Sequence, residues 1–155
     1  MSSNDRNGTK GKFSATINGS LVNLKANLFG ESETRTIHGT TKDDRSDKYY
    51  VLRIDFPSTF TGSSAFGKNK VNCLALLIGH DGLSIAGGRI TGGNFTLTSS
   101  DSKTAHFKGT FHGVASSEEG DLDIKDGIFD LQGISQNAAP EVAELTRHQK
   151  QTAPR

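Results

Sequence analysis

Residues Arg89–Leu131 read RITGGNFTLTSSDSKTAHFKGTFHGVASSEEGDLDIKDGIFDL. Three runs in this stretch alternate apolar and polar side chains, and Gly, Ser, Asp and Glu clusters divide them. A period of two buries one face and wets the other, which is the signature of antiparallel β-strands. Strands are expected over 93–98, 104–114 and 122–131, the last bent at Gly127.

Working outward, the same alternation appears upstream. Phe13, Ala15 and Ile17 point one way and Ser14, Thr16 and Asn18 the other. Asn18-Gly19 is a hairpin signal, because both residues tolerate positive φ. Val22, Leu24, Ala26 and Leu28 continue as a second strand ending near Gly30. Thr34–Thr41 is Thr-rich and suited to an edge. Tyr50, Leu52, Ile54 and Phe56 form an inward set with Tyr49, Val51, Arg53 and Asp55 outward, and Pro57 stops that strand. Ser58–Ser64 reads as a flexible connection.

Val71–Ile78 differs, since both of its faces are largely apolar. A strand of this kind is central, and something must cover its second side. A short buried helix has the same pattern over this length; His80-Asp81-Gly82, a turn leading back into LSIAGG, favours the strand. The expected fold class is therefore all-β, an antiparallel β-sandwich or flattened barrel of about eight to ten strands. The chain divides into a mobile N-terminal arm (1–11), a β domain (12–133) and a short helix or disordered tail (134–155). In the tail, Pro140, Glu141 and Glu144 precede Arg147, His148 and Lys150, an order that suits a helix dipole; Val142 and Leu145 are its apolar anchors.

Length and charge bound the function. A chain of 155 residues fits one domain with a real core. Its 18 basic and 17 acidic residues nearly cancel, which argues against a non-specific nucleic-acid binder, a class that displaces counterions with basic excess. Cys73 is the single cysteine and cannot form an internal disulfide. No Cys/His cluster has zinc spacing, and no metal or other cofactor is called for. The N-terminus lacks an apolar signal region and CLALLI is too short to span a bilayer. A cytoplasmic location follows as the expectation, with export by a leaderless route left open.

No catalytic set converges. His106 and His112 share a strand face six residues apart, roughly 20 Å, too far for one metal or proton relay. Cys73 lies in the most apolar run and reads as core. Glu118-Glu119-Gly120-Asp121 lacks the ordered spacing of a calcium loop and reads as a solvated turn. Phe107 and Phe111 fall on the core face, which removes them from any stacking platform for bases. Sugar platforms favour Trp and Tyr; Trp is absent and Tyr49 and Tyr50 are adjacent, hence on opposite faces.

One segment suggests a ligand: Gly87, Gly88, Arg89, Gly92 and Gly93. Glycine amides approach a ligand closely and Arg89 adds a charged fork, although the segment leads into a strand rather than the helix of a phosphate loop.

The strand Gly109–Gly113, the Ile124–Phe129 pattern and the Ala15–Gly19 strand and turn resemble small all-β domains of unknown function found in Bacteroidetes envelope lipoproteins. That resemblance implies a fold and no activity or site residues. A lipoprotein leader and its anchoring cysteine are missing here.

The leading expectation is a soluble, non-enzymatic binding or assembly module acting through a protein partner or self-association. The alternatives are a small-ligand barrel with Gly87–Gly93 at its mouth, or an enzyme built from distant residues such as His38, His80, Asp81 and Arg89.

Overall fold

The computed structural model describes residues 8–30, 33–43, 45 and 47–135. Eleven strands run β1 (Lys10–Ile17), β2 (Ser20–Asn23), β3 (Lys25–Gly30), β4 (Thr34–Thr40), β5 (Tyr49–Pro57), β6 (Gly62–Phe66), β7 (Asn72–Ile78), β8 (Ser84–Arg89), β9 (Gly92–Asp101), β10 (His106–Ala115) and β11 (Leu122–Gln132). They form two antiparallel sheets, ordered β2-β1-β11-β10-β9-β6 and β3-β4-β5-β7-β8, packed as a sandwich. The helix or tail expected at the C-terminus lies, from Gln136 on, outside the described residues.

The alternation places the core as expected. Phe13, Ala15, Ile17, Phe107, Phe111, Ile124, Phe129 and Leu131 of one sheet meet Leu28, Ile37, Leu52, Ile54, Phe56, Cys73 and Ala75 of the other. Asn18 and Gly19 turn with φ of 50° and 86°, and the β1–β2 register follows from that turn. The His80-Asp81-Gly82 turn closes through Gly79 N donating to Leu83 O and Leu83 N donating to Asp81 Oδ1.

Phenylalanine rings fill the space between the sheets. Phe95 stacks on Phe129 at 5.6 Å and meets Phe56 at 5.3 Å, while Phe13 meets Phe111 at 5.6 Å. The Gly-x-Phe units of β10 and β11 are reciprocal: Gly109 pairs with Phe129 and Phe111 with Gly127. Each glycine leaves room for the opposing ring, since a Cβ would come within 2.6 Å of it.

Several expectations change. The single strand from Val22 to Leu28 breaks at Leu24, whose N–H turns to Phe13 O, so that β2 stays in the six-stranded sheet and β3 crosses to the other. The Thr-rich strand is not an edge: β4 lies between β3 and β5, with Thr36, Ile37 and His38 buried. Gly62–Ser64, expected as loop, starts edge strand β6 against β9. The break at Leu24 and the added β6 raise the strand number above the expected eight to ten. Val51 points outward as expected, yet it is buried in a second apolar cluster with Leu76 and Ile78.

Candidate functional site

β8 ends the five-stranded sheet, and its two halves differ. The register slips between Leu77 and Ile78, where Leu77 pairs with Ala86 and Ile78 with Ser84. Ile85 is thus the extra residue of a β-bulge. Over Ser84–Ala86 no backbone–backbone bond points away from the sheet among the described residues. Leu83 and Ile85 there stay 39% and 38% exposed.

The other half is capped. Gly87 N donates to Gly120 O at 2.9 Å, and a Cβ on Gly88 would come 2.8 Å from Ser116 O. Ser117 Oγ bonds Gly120 O in turn, so the acidic stretch Glu118–Asp121 is a turn laid against this edge. Among the described residues no group of three or more His, Cys, Asp or Glu is arranged to hold a metal.

The glycine-rich segment is divided between the sheets. Gly87, Gly88 and Arg89 belong to β8; Ile90 is buried, donates to Cys73 O and bridges to Ala115. Gly92 and Gly93 open β9 in the other sheet, Gly92 opposite Phe66. Gly87 has φ +93°, and a Cβ there would lie 2.1 Å from Ala75 O; Gly93 has φ +54°, with His112 O at 2.2 Å from such a Cβ. These glycines let backbones approach where the chain passes from one sheet to the other. Arg89, Gly92 and Gly93 face solvent, whereas Gly87 and Gly88 are buried.

The distant-residue set does not converge. His38, Arg53, Leu74 and Arg89 stand in register across β4, β5, β7 and β8. Three ladder spacings separate His38 from Arg89 by about 14 Å, and His80 lies six residues along the chain from Leu74, roughly 20 Å away.

The surface formed by the described residues includes two open grooves. One, about 410 Å³, lies at the β10–β11 bulge between Thr110, His112, Lys125, Asp126 and Ile128. The other, about 560 Å³, lies between the β1–β2 hairpin and the start of β5, with Leu21, Lys48, Tyr49, Tyr50 and Leu77. On the solvent face of the six-stranded sheet, His106 Nε2 meets Asp130 Oδ1 at 2.6 Å and Lys108 Nζ lies 3.7 Å from Asp130 Oδ2. The His106 hydrogen bond holds the Asp130 carboxyl below its ordinary range; partial burial opposes this and the Lys108 charge adds to it.

These features define an all-β antiparallel sandwich. Comparison with protein-family models, with curated proteins and with solved structures finds no match.

Proposed function

We propose that this chain is a non-enzymatic assembly module that pairs, through the open half of β8, with an extended strand, the β8 of a second copy being the source favoured here. The carrying observation is the exposure of Leu83 and Ile85 beside backbone that has no partner beyond β7 among the described residues. Edge strands are ordinarily blunted by proline, charge, a bulge or a cover, and of these the open half of β8 carries the bulge at Ile85. Leu83-Ser84-Ile85-Ala86-Gly87-Gly88 contains neither proline nor charge, and the cover reaches only its glycine half. Two such edges related by a two-fold axis pair antiparallel and join two five-stranded sheets. The near-zero net charge opposes association only weakly.

Light scattering after size exclusion tests this. The expected result is a concentration-dependent dimer that Ile85→Lys returns to monomer without loss of β-sheet circular dichroism. A strict monomer up to several hundred micromolar, with β8 amide exchange unchanged by concentration, overturns self-pairing.

A second reading, small-ligand binding, is supported by the groove of Leu21, Tyr49, Tyr50 and Leu77, where Lys48 adds a positive rim. It replaces the barrel interior as the place for a ligand, because phenylalanine rings occupy the space between the sheets. A thermal-shift screen across lipids, sugars and nucleotides tests it, with Tyr50→Ala as the control.

A further inference from the structure

We infer that the groove at the β10–β11 bulge binds a neutral polyhydroxylated ligand, a single sugar ring, through Thr110, His112, Lys125 and Asp126, with Ile128 as its floor. It lies on the solvent face of the six-stranded sheet, and the inference is independent of strand pairing at β8.

Successive residues of a regular strand face opposite sides, and β11 departs from this at one place. Phe111 pairs with Gly127 and Gly113 with Ile124, so Lys125 and Asp126 together stand against His112 alone. The irregularity recurs against β1, where Ser14 pairs with Ile128 and Thr16 with Lys125. A bulge re-aims side chains. Here it turns out two neighbours, Lys125 and Asp126, between buried Ile124 and buried Gly127. Asp126 takes a φ of 50°, a conformation that glycine adopts with less strain. Glycine there would keep the bulge and lose the carboxylate.

Ile128 pairs with Thr110, and His112 lies two residues further along β10. Adjacent strands are about 4.8 Å apart and alternate residues about 6.6 Å, so these side chains share one small patch. Among the described residues, the side chains of Thr110, His112 and Asp126 make no hydrogen bond or ion pair. Polar groups nearby on the same face are paired: His106 and Lys108 with Asp130, Ser63 and Asn94 with Thr96. Lys125 Nζ lies 3.6 Å from Asp123 Oδ2 and keeps further donors for a ligand.

A hydroxyl both donates and accepts, so adjacent hydroxyls ask for donors and acceptors side by side. The groove offers that set. The Lys125 ammonium only donates, the Asp126 carboxylate only accepts, and Thr110 and His112 do either. Ile128, 46% exposed, meets an apolar C–H face. A phosphate or carboxylate would meet the charges of Asp126 and Asp123, and an ammonium would meet that of Lys125. Strand addition by a peptide has no free backbone here, because β10 and β11 each lie between two strands. The volume of about 410 Å³ falls within the roughly 300–1,000 Å³ of small-molecule sites. Phe111 also lines the groove, but its ring is buried in the core and gives no stacking face. Millimolar affinity is therefore expected.

Amide NMR titration of the full chain tests this, with methyl α-glucoside, methyl α-mannoside, methyl β-galactoside and myo-inositol as probes and inorganic phosphate as comparison. At least one of the four is expected to give saturable shifts at Thr110, His112, Lys125, Asp126 and Ile128, and phosphate none. Asp126→Gly is expected to weaken that binding at least tenfold while the melting temperature holds or rises, since the strain leaves with the carboxylate. The inference is overturned if none of the four probes shifts these amides up to several hundred millimolar, or if phosphate shifts them more. Shifts centred on Tyr49, Tyr50 and Leu77 instead, or undiminished binding by Asp126→Gly, overturn it equally.

Discussion

Gly109 stands directly opposite Phe129 across the β10–β11 ladder, and a Cβ on the glycine would lie 2.5 Å from the ring's Cζ and 2.2 Å from Thr96 O. The backbone oxygen cannot move without disturbing the β9–β10 register. Gly109→Ala is therefore expected to destabilise the fold by about 3 kcal/mol, the upper end for overpacking. Denaturant titration checks this. Part of the cost, on the order of 1 kcal/mol, is expected to vanish in a Phe129→Leu background, because the two sites share one volume.

Phe95 is the hub of the interior, touching Phe56, Phe60, Phe66 and Phe129. Truncation to alanine removes a fully buried ring against which four others pack. The expected loss is about 3–5 kcal/mol, and Phe95→Leu is expected to cost less than half of that. Equal losses for the two variants would mean that ring geometry, rather than volume, holds this part of the core.

Cys73 is buried on the core face of β7, and burial, with a smaller contribution from the Asp55 charge, pushes its thiol far up. Only the thiolate reacts with disulfide reagents. Labelling of the folded protein is expected to be slow and to accelerate in step with denaturant-induced unfolding. Full modification within seconds in native buffer contradicts the placement.

The lowered Asp130 carboxyl gives a pH dependence with a definite sign. Its folded value lies below that of the unfolded chain, about 3.9, so the contact with His106 contributes stability above that pH. The contribution is lost as pH falls through the lower folded value. Carboxyl NMR is expected to place the Asp130 midpoint below the ordinary aspartate range and His106→Ala to move it upward. An unchanged midpoint in that variant would assign the shift to Lys108 instead.

Much of this was legible in the chain. The period-two runs located the hairpin at Asn18-Gly19, the strand character of Val71–Ile78 and the inward side of β10, because each rests on neighbours in sequence. His106 and His112 share one face of β10 for the same reason. The break at Leu24 was not legible: Val22–Leu28 keeps its alternation while the chain changes sheets, and only the partners on either side reveal the crossing. Gly62–Phe66 escaped notice because its small polar residues resemble a loop until β9 pairs with them.

Alternation thus determined by itself that this chain folds as paired strands with a phenylalanine interior, since which side of a strand meets water depends on residue parity alone. Tertiary structure decided which strands become edges, why Gly109 and Gly127 stand opposite aromatic rings, and that the glycine-rich segment spans two sheets rather than forming one loop. Those outcomes depend on contacts between residues far apart in the chain, whose distances no local pattern encodes.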